Sequence, residues 1–239
     1  MTEWRTPRLL ASRPPATPCD YESLRNSPDV LVAVENGLLA EQGGICAYTG
    51  HQISVVLADP HSGVARDVNF HIEHLTPQKF CNYGQDTDYT NLLACWPHPN
   101  CGFEPEYGAR KKDKWPSPAE QELFVSPLRL DCSSRFTFNH RGEIAAARDN
   151  DVPAETTIKK LGLDHHSLNE LRRNAIQGAL NPASRQIKLT DARKLLAHMQ
   201  QAAAQLNAGI SAKLAPFCFA IEPALQREIR KLEGIMNRP

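Results

Sequence analysis

The residues able to do chemistry are concentrated in one stretch of this chain. Five of the nine histidines lie between positions 51 and 98, and Cys46, Cys81, Cys95 and Cys101 fall within or next to that interval. Three strings stand out there: Gly44-Ile45-Cys46-Ala47-Tyr48-Thr49-Gly50, His71-Ile72-Glu73-His74-Leu75-Thr76-Pro77, and Asn91-Leu92-Leu93-Ala94-Cys95, the last followed by Cys101-Gly102 and Ala109-Arg110-Lys111-Lys112-Asp113. A histidine is the side chain whose ordinary pKa suits it to take a proton from water near neutral pH. A neighbouring carboxylate can hold a hard cation that neutralises a phosphate and its leaving oxygen. Glu73 beside His74 supplies that pair. Asn91 could position the site, and Lys111 and Lys112 could steady phosphates of a nucleic acid.

The elements that must position these groups are short. Val68 to Leu75 alternates as a strand, with Val68, Phe70 and Ile72 on one side and Asn69, His71 and Glu73 on the other. Ile45 to Ile53 predicts a strand, a turn near Thr49-Gly50 and a returning strand, and residues 55–66 a loop. Tyr89 to Cys95 reads as a short apolar helical piece, and Ala109 to Trp115 as a short basic helix. Upstream, Asp29 caps a helix carrying Leu31, Val34, Leu38 and Leu39, stopped by Gly43-Gly44. Residues 1–28 hold Pro7, Pro14, Pro15, Pro18 and Pro28 and predict an extended arm. Downstream, Ser117 or Pro118 opens a helix through Phe124, and a small hairpin is expected near 134–147. Helices are expected over 153–162, 167–180, 190–207 and 222–233. The organisation expected is an arm (1–28), a core (29–125) and a mainly helical C-terminal region (126–239), and the fold class is α+β, mostly α.

Composition narrows the function classes. The chain has 239 residues, 41% hydrophobic and 23% charged, ample for a packed core and unlike a disordered protein. No apolar stretch is long enough for a membrane span, and Met1-Thr2-Glu3-Trp4-Arg5 lacks a signal-peptide core, so the expected location is cytoplasmic. Seven cysteines, an odd number, argue against a disulfide framework and leave metal binding or burial. The formal net charge is zero, but residues 1–120 carry −5 and residues 121–239 carry +5. The basic half could meet a polyanion or an acidic partner.

Taken in order, Glu73-His74-Leu75-Thr76-Pro77, Asn91-Leu92, Cys95, Cys101 and Lys112-Asp113 resemble the ββα-metal motif of HNH endonucleases. The flanking Ala40 to Tyr48 string, Ser126-Pro127-Leu128, Arg135 to Phe138 and Gly142-Glu143-Ile144 are similar to the HNH protein of Septu-type and retron-associated anti-phage defence systems, the PtuB-like group. The resemblance covers roughly residues 36–175. It implies an HNH ββα-metal core embedded in a helical chain, and hydrolysis of phosphodiester bonds with one divalent metal, Mg²⁺ or Mn²⁺. It makes His74 the general base, Asn91 the residue that fixes the loop and the histidine, and Glu73 the acidic metal ligand. The family's third ligand position falls near Gly108, which has no side chain to offer; His98, His71 or Asp113 are the candidates to replace it.

Many such domains also carry two Cys-x-x-Cys knuckles around a structural Zn²⁺. Here Thr49 stands at one ligand position, and Cys95 and Cys101 are separated by five residues, so a site would draw on Cys46, Cys95 and Cys101 with His98 or His51. The resemblance further implies a partner, an ABC-type ATPase that restrains or licenses cleavage, with the proline-rich arm and the basic C-terminal helices as docking surfaces. DNA is the favoured substrate over RNA. Two alternatives stay open: an RNA-cleaving effector, for instance on tRNA, and a catalytically silent zinc-ribbon-like module that binds nucleic acid or a protein.

Overall fold

The computed structural model describes residues 20–56, 67–102 and 104–236. The chain is α+β and mostly helical, with three separate two-stranded antiparallel sheets among the described residues. Most of the expected arm lies outside the described residues. Its last part is not extended: Tyr21–Arg25 forms a short helix, α1. Asp20 caps it by accepting from the Ser23 N–H, and Leu24 is buried beneath it.

Helix α2 (Pro28–Glu41) starts two residues earlier than expected, with Ser27 rather than Asp29 at the cap position and Pro28 in the first turn. Gly43 and Gly44 follow with φ of +61° and +74°, the left-handed conformations that turn the chain after it. The expected hairpin over 45–53 shrinks to a single bridge between Ile45 and Gln52. Val55–Val56 (β1) pairs with Asp67–Val68 (β2), so the expected loop begins later, and 57–66 lies outside the described residues.

The central sheet pairs β3 (His71–His74) with β4 (Leu92–Cys95) in the register His71↔Cys95, Ile72↔Ala94, Glu73↔Leu93, His74↔Leu92. The helical expectation for 89–95 is therefore corrected. Only Tyr89–Asn91 is a helical turn, and Leu92–Cys95 is strand. All four residues of β4 are fully buried, and a short apolar run covered on both faces has no periodicity to tell strand from helix. Helix α3 (Ala109–Lys112) packs behind this hairpin and ends before Trp115. The segment after Ser117 is a 3₁₀ helix, Pro118–Leu123, opened by a Ser117–Glu120 capping box.

The hairpin β5 (Phe136–Phe138) and β6 (Ile144–Ala146) forms as expected. Four helices follow: α4 (Val152–Leu161), α5 (His166–Leu180), α6 (Leu189–Asn207) and α7 (Cys218–Met236). Asp151 caps α4, and Gly162 ends it in the left-handed conformation. A Cβ on Gly162 would stand 2.6 Å from the Glu106 carbonyl oxygen, so the turn needs glycine twice over. Helices α5, α6 and α7 share an apolar core built on Ile176, Ala192, Met199, Ala220, Ala224 and Leu225.

A second core lies around the β3–β4 hairpin, including Leu38, Cys46, Phe70, Leu92 and Ala109. A third, with Tyr107, Trp115, Phe124, Leu161 and Phe217, packs against both. Backbone bonds tie the regions: Gly108 N–H donates to Leu161 (2.7 Å), Leu214 to Gly43 (2.8 Å) and Phe217 to Gly50 (3.1 Å).

Candidate functional site

The site is assembled on the β3–β4 hairpin and the loop that joins its strands. Asn91, 6% exposed, stands where the loop enters β4. Its side-chain oxygen accepts from Thr76 N–H (2.8 Å), and its amide donates to the carbonyls of Thr76 (3.3 Å) and Gln85 (3.1 Å). One side chain thus pins both ends of the loop, and Leu75 N–H adds a bond to the Asn91 carbonyl (2.8 Å). Gln42 does comparable work on the far edge of β4. Its amide donates to Ala94 O (2.8 Å) and Ile45 O (2.9 Å), and its oxygen accepts from Ala94 N–H (2.7 Å), so a buried side chain stands in for a third strand.

Alternation along β3 sends His71 and Glu73 to one face and His74 to the other. On the first face, Lys112 reaches up from α3. Its side chain has no solvent exposure, and Nζ donates to Glu73 Oε1 (2.8 Å) and to the His74 carbonyl (2.8 Å). Burial holds the Glu73 carboxyl above its ordinary range, with Lys112 pulling it back. His71 Nδ1 lies on the Pro97 carbonyl at 2.5 Å, which fixes that nitrogen as the donor and leaves Nε2 with its lone pair free. Burial lowers the His71 pKa as well.

His71 Nε2 and Glu73 Oε2 are 3.9 Å apart. A small divalent cation bonded to both at about 2.1 Å spans that gap. These two side chains are the donors that fit a metal. Among the described residues no group of three His, Cys, Asp or Glu side chains converges.

On the second face His74 is 6% exposed. Its Nε2 donates to the Asp86 carbonyl (2.8 Å), so Nδ1 carries the free lone pair. Burial holds its pKa below the usual imidazole value, with the Asp86 carbonyl and carboxylate pulling it back. The Tyr21 ring of α1 meets it edge-on, centroids 4.5 Å apart. The Tyr21 N–H donates to Asp86 Oδ2 (2.9 Å).

Cys46 and Cys95 are both fully buried, and their thiols are hydrogen-bonded to each other. Burial pushes the Cys46 thiol up, but hydrogen bonds from Cys95, from the Thr49 hydroxyl and from the Thr49 and Trp96 backbone outweigh it and bring it to about 6. The Cys95 thiol is pushed up by burial and by its neighbour. Backbone N–H groups turned toward a sulfur suit a metal-bound thiolate, but the next groups are a threonine and a histidine whose Nδ1 contacts Thr49 Oγ1 at 2.9 Å. His51 is also stacked on Trp96 at 4.1 Å, and burial lowers its pKa to about 4. The structure therefore joins Cys46 and Cys95 with Thr49 and His51. Cys101, expected in this group, is exposed.

Other expectations are corrected by position. Lys112 is interior and neutralises Glu73, so it is not a surface contact for phosphate. Lys111, next to it, is exposed. Asp113 is exposed at the end of α3, and the His98 Nδ1 accepts from Asn100 N–H (3.2 Å); neither is brought to Glu73 in a three-donor group.

The residues that sequence reasoning missed are Tyr21, Asp86 and Gln42. Each acts across a long stretch of chain, and only Gln42, a polar residue next to two glycines after an apolar helix, left any local signal. Compared with known proteins, the chain matches no family model and no curated relative.

Proposed function

We propose that this protein is a metal-dependent HNH-type nuclease that hydrolyses phosphodiester bonds. The observation that carries the reading is the Asn91 side chain. It clamps the loop between Thr76 and Gln85 while the same loop, through Asp86, holds His74 in one tautomer. That is how a general base is kept oriented with a bare lone pair, here on Nδ1.

His74 would take the proton from the attacking water. His71 and Glu73 would hold the cation, and Lys112 would keep the Glu73 carboxylate charged and the His74 backbone in place. A bound Mg²⁺ or Mn²⁺ supplies a Lewis acid for the phosphoryl oxygen. Lys111 is the exposed cation left for the nucleic-acid backbone. On the resemblance, the chain works as the effector of an anti-phage system with an ABC-type ATPase, in the cytoplasm and on DNA.

The test is plasmid nicking in Mg²⁺ or Mn²⁺. His74→Ala keeps its fold, read by far-ultraviolet circular dichroism, and loses cleavage by at least about 10²-fold, the usual contribution of a general base. Undiminished cleavage by the folded variant removes His74 from the mechanism.

Two observations favour a second reading, the catalytically silent module: His71 and Glu73 lie on the opposite face of β3 from the His74 ring, and Glu73 is already paired. Lys112 already occupies one Glu73 oxygen, so the carboxylate has an internal cation. Tight stoichiometric zinc with no cleavage of DNA or RNA in either metal supports that reading.

A further inference from the structure

We propose that α1 is an autoinhibitory cover over the His74 imidazole, and that cleavage requires α1 to lift; the regulatory part rests on His74 being the base. A base that strips a proton from water beside a phosphate has to meet both. In this structure His74 is 6% exposed, one ring nitrogen is spent on the Asp86 carbonyl, and the Tyr21 ring covers it at 4.5 Å.

The hold on α1 is specific. A helix of five residues has no stability of its own and stays where its contacts put it. Among the described residues those contacts include the buried Leu24, the Tyr21 ring packed on the core around Leu38 and Phe70, and the bond from Tyr21 N–H to Asp86 Oδ2 (2.9 Å). Asp86 is therefore shared: its carbonyl orients the base and its carboxylate latches the cover. Lifting α1 breaks the latch and leaves the base's own hydrogen bond intact. A five-residue helix held by side-chain packing and one such latch can open locally without global unfolding.

The experiment reads exposure and cleavage separately on the full chain. Carbethoxylation of His74 by diethyl pyrocarbonate is followed by fragment-ion mass spectrometry and normalised to exposed His140. Plasmid nicking is measured in parallel. Tyr21→Ala, and independently Asp86→Ala, which keeps the backbone carbonyl, label His74 at least tenfold faster and nick faster. Tyr21→Phe, which keeps the ring, behaves as the parent. Both alanine variants are checked for a parental far-ultraviolet spectrum. Unchanged His74 labelling in both folded variants overturns the cover, whatever the cleavage. Faster labelling with no cleavage in any variant keeps the cover and removes the nuclease reading instead.

Discussion

Lys112 is the side chain on which the two faces of β3 depend. A buried ammonium is tolerated only where a carboxylate and further acceptors replace its water, and here Glu73 and the His74 carbonyl do so. Removing one partner strands the other. Lys112→Met is expected to lower unfolding free energy by about 3 kcal/mol, because Glu73 is left half-buried without its counter-charge. The double variant Lys112→Met/Glu73→Gln, which removes both charges, recovers more than half of the loss. Urea melts of the two variants and the parent check this. A double variant no more stable than the single one would show that the lysine works by packing alone.

This dependence was invisible in the string Ala109-Arg110-Lys111-Lys112, where four residues of one short helix offer three adjacent cations. Which of them turns inward is set by the helix's placement against the hairpin. By contrast, Glu73, His74 and Asn91 stood out in the sequence by their residue types and by the resemblance of their order to a known motif.

Helix α4 carries its own pH sensor. Asp151 caps it by accepting from Ala154 N–H (3.1 Å), and its carboxylate is paired with Arg135 at the start of β5. That pair holds the Asp151 carboxyl below its ordinary value of 3.8. A depressed folded pKa gives stability that is present above the unfolded value and lost as the pH falls through the folded one. Asp151→Ala is expected to lower stability by about 1–2 kcal/mol at pH 7, the usual range for a lost cap. The gap between parent and variant stays constant above about pH 5 and narrows below pH 4. Thermal melts across pH 2.5–7 read it, and a gap that widens in acid contradicts the assignment.

The sequence marked this helix well. Asp151, Pro153 and Gly162 are start and stop signals that act within a few residues. The short β4 escaped because nothing local separates a buried four-residue strand from a helical turn.

The N-terminal hairpin region and the C-terminal helices meet through close backbone approach. Gly50 sits at φ +78°, its carbonyl accepts from Phe217 N–H, and a Cβ there would run into the Phe219 ring. Phe219 packs against the core shared by α5, α6 and α7, and His51, Trp96, Tyr107 and Phe217 form an aromatic joint beside it. Gly50→Ala is expected to destabilise the chain by about 2–4 kcal/mol, from the left-handed backbone and the clash together. Tryptophan fluorescence, to which Trp4, Trp96 and Trp115 contribute, and far-ultraviolet circular dichroism, dominated by the helices, should shift to lower denaturant together. A fluorescence transition that moves alone would mean the two regions unfold independently.

From its own string the chain specified whatever is decided within about a dozen residues: the helices after 150, the hairpin at 136–146 and the strand that carries Glu73 and His74. Periodicity, caps and turn residues are short-range physics, and they are written locally. Contact through space settled the rest. Lys112 went inside, Cys101 stayed out of the Cys46–Cys95 group, Gln42 closed a sheet edge, and Tyr21 came to lie on a histidine more than fifty positions away. Those outcomes depend on which buried polar group lacks a partner once the chain is packed, and no spacing along the sequence records that.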